Sequence, residues 1–210
     1  MSRDLIDTNP VRGIKPLRDP GKHFRRALEL KECRSLLAAS PAYRRRVWTA
    51  YLCTGMRKME LVSRCWQHVD LDEGLIFLEA EITKTRVARH CIVGPRLAAT
   101  IMEETSRGAG APVWPNTKGG PYASNLIRDL RVDCKHAGVD CRGVDIHALR
   151  VSFSVLLGFV VEAPDAVRKV LLGHGSVRSG IVSDTKYMKP RMRDARLVDA
   201  ARRLEDVLLG

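Results

Sequence analysis

The 210-residue sequence predicts an α+β fold, mostly helical, with one small antiparallel β-sheet. Three observations carry that prediction. Apolar residues recur at helical spacing through most of the chain. Two short apolar runs, and no more, flank a turn-rich segment. No stretch approaches the roughly 18 apolar residues needed to cross a bilayer.

The elements follow in order. Residues 1–27 are polar and basic, with Pro10, Pro16 and Pro20, and read as an arm or linker. Leu30, Cys33, Leu36 and Leu37 mark a first helix. Pro41 suits the start of a second, which carries Val47, Ala50, Tyr51 and Thr54 on one face and stops at Gly55. A third helix is expected from Lys58 to Trp66. Asp72-Glu73-Gly74 is a turn. Leu75–Leu78 and Cys91–Val93 read as strands flanking a hairpin that carries Thr83-Lys84-Thr85. Arg96 to Arg107 looks helical, and residues 108–122, rich in Gly and Pro, form a loop. Leu126, Leu130, Cys134 and Ala137 mark a helix stopped by Gly138. Ala148 to Val161 is the apolar central helix. Val167, Val170 and Leu171 belong to a short helix closed by Gly173, residues 174–183 to a Gly/Ser-rich loop, and Val198, Ala201, Leu204 and Leu208 to a final amphipathic helix.

The net charge is +12, with 36 Lys and Arg against 24 Asp and Glu. Such an excess favours a polyanionic partner, because neutralised phosphates release counterions. The N-terminal stretch lacks an apolar signal core, so a cytosolic location is expected. The six cysteines form no C-x-x-C pair, and Cys134, His136 and Cys141 fit no familiar zinc spacing. They read as small buried hydrophobes of a reducing compartment.

Four local patterns bear on chemistry. In Thr54-Gly55-Met56-Arg57-Lys58-Met59-Glu60-Leu61 one helix stops and another starts, so backbone N–H groups and the Arg57 guanidinium could converge on an anion. Lys84 sits at a hairpin tip, where a lysine could protonate a leaving oxygen. His147 and Arg150 in Asp145-Ile146-His147-Ala148-Leu149-Arg150 are three apart and share a helical face. A phosphate would satisfy Arg150, and so would a nearby acid. Leu171-Leu172-Gly173-His174-Gly175 leaves His174 after a helix end, and Tyr187 follows in the basic segment Thr185-Lys186-Tyr187-Met188-Lys189-Pro190. Singly, each pattern also reads as an ordinary surface cation, turn lysine or packed tyrosine. Jointly they supply a phosphoryl transfer. Arginine forks bind the non-bridging oxygens, a tyrosine attacks, a histidine accepts its proton and a lysine protonates the departing sugar oxygen.

In that order the motifs resemble the catalytic domain of tyrosine recombinases of the phage integrase family. TGMRKMEL and HALR are similar to its two arginine boxes, LLGHGS to the histidine that follows, TKYMKP to the nucleophile region and TKT to the hairpin lysine. The resemblance covers about Arg26 to the C-terminus. It implies the family's DNA breaking-rejoining fold over residues 26–210, with residues 1–25 as the linker and remnant of a preceding DNA-clamping domain. It implies that Arg57 and Arg150 clamp the scissile phosphate and that Lys84 is the general acid. His147 would act in proton transfer and His174 would bond a phosphate oxygen. Tyr187 would form a 3′-phosphotyrosyl link, and Glu60 would help order the site. It implies no metal or nucleotide cofactor. Its partners would be double-stranded DNA and, on that DNA, further copies of the chain in a tetramer, with no membrane.

Ala148 stands where the family often has aspartate, Val151-Ser152 replaces a His-Thr-like pair, and the 13-residue step from His174 to Tyr187 is longer than usual. The longer step leaves two expectations open, a mobile Tyr187 or one that swings out until a partner subunit arrives. The competing readings are a type IB topoisomerase-like enzyme, which shares the chemistry, and a non-catalytic DNA-binding module. A metal-dependent nuclease lacks its carboxylate cluster. The final helix, free to dock on a neighbouring protomer or on its own domain, bears on the choice between the first two.

Overall fold

The structure, a computed structural model, describes residues 13, 25–84, 86–104, 108–122, 124–173 and 194–210. Among them run α1 (Leu30–Ala39), α2 (Ala42–Thr54), α3 (Lys58–Val62), β1 (Val69–Asp70), β2 (Leu75–Leu78), β3 (Arg89–Ile92), α4 (Pro95–Met102), α5 (Leu126–His136), α6 (Ile146–Phe159), α7 (Asp165–Leu171) and α8 (Ala195–Leu209). Short 3₁₀ turns cover Trp66–His68 and Ala80–Ile82. The class is the one the sequence predicts.

α2 is the axis of the core. It packs against α1, α4, α6 and α8, and every residue from Val47 to Thr54 is buried. The single buried face expected from the sequence is therefore a fully enclosed half-helix. Its polar groups are satisfied in place. Trp48 Nε1 and Arg44 Nη2 donate to the two carboxylate oxygens of buried Asp133 at 2.8 and 2.7 Å, which bolts α5 to α2. Tyr122 donates to neighbouring Asp129 on the same helix. A buried carboxylate is tolerated because each oxygen is bonded.

Gly55 ends α2 in the left-handed region, φ +60°, with its amide on the Tyr51 carbonyl at 2.9 Å. A Cβ there would lie 2.3 Å from a carbon of the Phe153 ring. Glycine thus satisfies both the backbone conformation and the close seating of α6 on the end of α2.

The third helix is shorter than expected and stops at Val62. Ser63 Oγ donates back to the Met59 carbonyl, and the chain then bonds the loop rather than itself: Val113 N to Arg64 O at 3.0 Å and Trp66 N to Ala111 O at 3.1 Å. Arg64 is buried, with Nη1 on the Phe77 carbonyl and on Glu79 at 2.8 and 2.7 Å. α4 likewise ends at Met102, short of the expected Arg107.

The antiparallel sheet has the order β1-β2-β3, pairing Val69 with Ile76, and Leu75, Ile76, Phe77 and Leu78 with Ile92, Cys91, His90 and Arg89. Strand β1 was not expected. Strand β3 begins two residues earlier than its apolar run, because Arg89 and His90 are buried strand residues despite their polarity.

α8 packs on its own domain, burying Leu197, Ala200, Ala201, Leu204 and Leu208 against α1, α2, α4, α6 and α7. Arg34 on α1 donates twice to its Val207 carbonyl. Glu205 on α8 accepts the amides of Gly94, Arg96 and Leu97 at 2.7, 3.1 and 3.3 Å and so caps α4. α7 and the start of α8 share a cleft lined by Val167, Val170 and Leu197. All six cysteines are free thiols; Cys33, Cys53, Cys91 and Cys134 are buried, and Cys65 and Cys141 are half-buried. No helix among the described residues is long and apolar enough to cross a membrane.

Candidate active site

The site grows around Glu60, a carboxylate with no exposed surface. The left-handed turn at Gly55 reverses the chain, and Arg57 starts α3 two residues later. Glu60 Oε2 accepts the Arg57 amide at 2.8 Å while Oε1 accepts Arg57 Nη1 at 2.7 Å. The amide that the sequence offered to an anion is thus already engaged by Glu60, and the guanidinium, about a quarter exposed, is held at the surface beside it. Burial opposes the charge of Glu60, but Arg89 and Arg57 prevail and hold its pKa below the usual carboxylate range.

Arg150 enters from α6. Asp145 caps that helix, its Oδ1 accepting the Ala148 amide at 2.8 Å. One turn on, Arg150 is buried, with Nη1 on the Gly55 carbonyl at 2.5 Å and Nη2 on the Leu172 carbonyl at 2.6 Å. The guanidinium therefore links the end of α2 to the end of α7. Burial, then repulsion from Arg57 and Arg89, pulls its pKa down to about 10. Two guanidiniums pair with the one carboxylate and Arg150 adds a third charge nearby, so the described cluster has a surplus of positive charge suited to an anion.

His147 precedes Arg150 by one turn and is exposed. Its pKa is lowered by partial burial, then by Arg25 and Arg150, and least by Arg57, against an opposing pull from Asp145. The lowered pKa favours the neutral imidazole, the form that can accept a proton. Arg25, assigned to the linker from the sequence, in fact donates to Asp145 Oδ2 at 2.7 Å and touches the same electrostatic neighbourhood. Ala148 is fully buried, and Ser152 Oγ accepts the Leu28 amide and donates to the Ala148 carbonyl. Ala148 and Ser152 therefore serve the packing of the chain onto α6.

Lys84 lies exposed on the β2–β3 connection. Its neighbour Thr83 is buried and hooks the turn, accepting the Val87 amide at 3.0 Å and donating to the Val87 carbonyl at 2.9 Å. The connection closes on the Leu78–Arg89 pair, whose arginine reaches Glu60. No contact joins Lys84 itself to the arginines among the described residues. Arg57, His147 and Arg150 are thus brought together, and Lys84 is placed on an adjoining loop. His174, Tyr187 and Thr85 lie outside the described residues, as does the 174–183 loop.

Sequence reasoning missed Arg89. It stands on β3 with Nη2 on Glu60 Oε2 at 2.9 Å and Nη1 on Cys91 Sγ at 3.2 Å. The available signal was an arginine next to an apolar run, opposite a buried acid that needs more than one cation.

The Phage integrase family matches residues 26–182. The tyrosine recombinase XerC of Xylella fastidiosa (strain 9a5c) is 29% identical over 133 residues, 60% of this chain and 43% of that protein. The chain therefore spans less than half the length of that relative. The integrase from mycobacterium phage Brujita superposes with a TM-score of 0.67 at 18% identity, over 96% of this chain and 68% of that one. The lambda integrase (residues 75–356) bound to DNA gives 0.60 at 21%, over 83% and 63%. At these identities the structures show the fold, and the family match covers well over half the sequence with both arginine boxes inside it: the chain belongs to the phage integrase family.

Proposed function

We propose that residues 26–210 form the catalytic domain of a site-specific DNA recombinase or integrase, with residues 1–25 as its linker from a preceding domain. In this reading Arg57 and Arg150 hold the non-bridging oxygens of a scissile phosphodiester. The Tyr187 oxygen attacks phosphorus while His147 takes up its proton, and His174 bonds a phosphate oxygen. The P–O bond to the 5′ oxygen breaks, and Lys84 supplies that oxygen's proton. The product is a 3′-phosphotyrosyl link and a free 5′-hydroxyl, which reverses when a second 5′-hydroxyl attacks.

One observation carries the reading most strongly. Arg150 is fixed in the core by two carbonyls while two further guanidiniums press on its charge. A bound phosphate relieves that repulsion, and relieves it more as charge builds on the oxygens in the transition state. The net charge of +12 and the lambda integrase complexes described as bound to DNA support double-stranded DNA as substrate. A lambda integrase tetramer bound to a Holliday junction supports assembly of four copies on DNA, and the proposal puts that assembly in the cytoplasm. Because α8 is docked on its own domain, such an assembly either uses other surfaces or first displaces that helix.

The test is to mix the protein with supercoiled plasmid in EDTA and quench with SDS. Covalent protein–DNA adducts are expected from the native protein and none from Tyr187→Phe. Adducts with relaxation but no strand exchange between two sites would favour the topoisomerase-like alternative. Silence from this chain and from a longer native chain would leave a DNA-binding module.

A further inference from the structure

Arg89 is buried in the site, yet the proposed reaction gives it no step. Its guanidinium makes contacts in three directions: Nη2 to Glu60 Oε2 at 2.9 Å, and Nη1 to both Cys91 Sγ at 3.2 Å and the Leu171 carbonyl at 3.4 Å. Its Nε is buried without a partner among the described residues. Gly173, at φ +66°, lies against it so closely that a Cβ would fall 2.7 Å from Arg89 Cδ and Nε.

These contacts link the parts of the site. Glu60 Oε2 is shared between Arg89 and the Arg57 amide, so the carboxylate that orients Arg57 is held from behind by Arg89. Leu171 and Leu172 end α7, and their carbonyls receive Arg89 and Arg150 respectively. We propose that Arg89 is a positioning residue of the phosphate site: it fixes Glu60 against Arg57 and the end of α7 against β3. Both phosphate-clamping arginines, and the point from which the chain leaves toward His174, then share one rigid frame. The proposal rests on the strand-transfer reading for the ligand, but the frame itself is independent of it. Lysine cannot replace the arginine, because one ammonium on a flexible stem does not span a carboxylate, a thiol and a carbonyl in fixed directions.

The test uses Arg89→Lys and Arg89→Met in the full chain with two readouts. The first is amide hydrogen exchange. Exchange at Arg57 and Gly173 is expected to quicken at least about tenfold in both variants, with the amides of α2 unchanged. The second is titration with inorganic phosphate, followed by the His147 ring signals; affinity is expected to fall at least about tenfold in both. Unchanged exchange in Arg89→Lys would overturn the proposal. So would phosphate affinity that is native in Arg89→Lys and lost only in Arg89→Met, since charge alone would then suffice. Faster exchange in the variants, with no phosphate response even from the native protein, would uphold the frame and sink the phosphodiester reading.

Discussion

Arg150 reaches across 95 positions of sequence to set its Nη1 on the carbonyl oxygen of Gly55 at 2.5 Å. That bond joins the two arginine boxes, since Gly55 turns the chain into Arg57 and Arg150 lies on α6. Each box needs the other for its geometry.

In the proposed reaction Arg150 serves chemistry more than stability. Its pKa, drawn down to about 10 by burial and by Arg57 and Arg89, marks a cation that the fold tolerates at a cost. Arg150→Met is expected to lower adduct yield at least about a hundredfold. Its melting temperature should change by only a few degrees, because the relief of repulsion from Arg57 and Arg89 offsets the loss of a donor at the Gly55 and Leu172 carbonyls. A fall of more than several degrees would recast Arg150 as a structural strut.

His147 should titrate below the ordinary histidine value of 6.5, through partial burial and then the neighbouring arginines. A depressed folded pKa means that its contribution to stability is present above the unfolded value and is lost as the pH falls through the folded one. Ring-proton NMR against pH checks the direction. Inorganic phosphate should move the titration upward, because an anion stabilises the imidazolium. A titration above 6.5 in the free protein would contradict the arrangement.

Glu205 behaves in the opposite sense. Burial raises its pKa despite the three amides it accepts. Its contribution is therefore largest below the unfolded value of about 4.3 and declines as the pH rises through the folded value. Glu205→Gln should be less stable than the native protein in acid, and the gap should narrow toward about pH 7. Urea melts at a series of pH values decide this, and a gap that widens with pH would refute it.

Gly55→Ala forces a left-handed backbone on a residue with a Cβ and drives that Cβ into the Phe153 ring. A loss of about 2–4 kcal/mol is expected from strain and overpacking together. Adding Phe153→Leu should recover part of it, so that the two changes are not additive. Urea unfolding of the four proteins in the cycle measures the coupling.

Helices with a stripe or a stop signal were legible in the sequence. α1, α2, α5, α6 and α8 lie where apolar spacing and Gly55 or Gly138 place them. The shortfalls share a cause. β3 begins at Arg89 because Glu60, 29 positions earlier, neutralises a charge that otherwise reads as solvent-facing. α3 ends at Val62 because Arg64 turns inward to Phe77 and Glu79 and the following backbone pairs with residues 109–113. Periodicity is local, and a buried ion pair is not. For the same reason Arg57, His147 and Arg150 could be singled out as candidates by motif, whereas Arg89 and Arg25 emerged only once their acids were located in space.

The packing of α7 on α8 also sets a leash. Gly173 ends one side of the segment that carries Tyr187, and Asp194, the cap of α8, begins the other. Seven peptide links separate Tyr187 from Asp194, a contour of about 25 Å at most. Because α8 is fastened to its own domain by Glu205 and Arg34, the nucleophile of the proposed reaction is bound by chain connectivity to lie no farther than that from its anchor. In the proposed reaction, the DNA must therefore come to the tyrosine's side of α8, unless that helix first lets go.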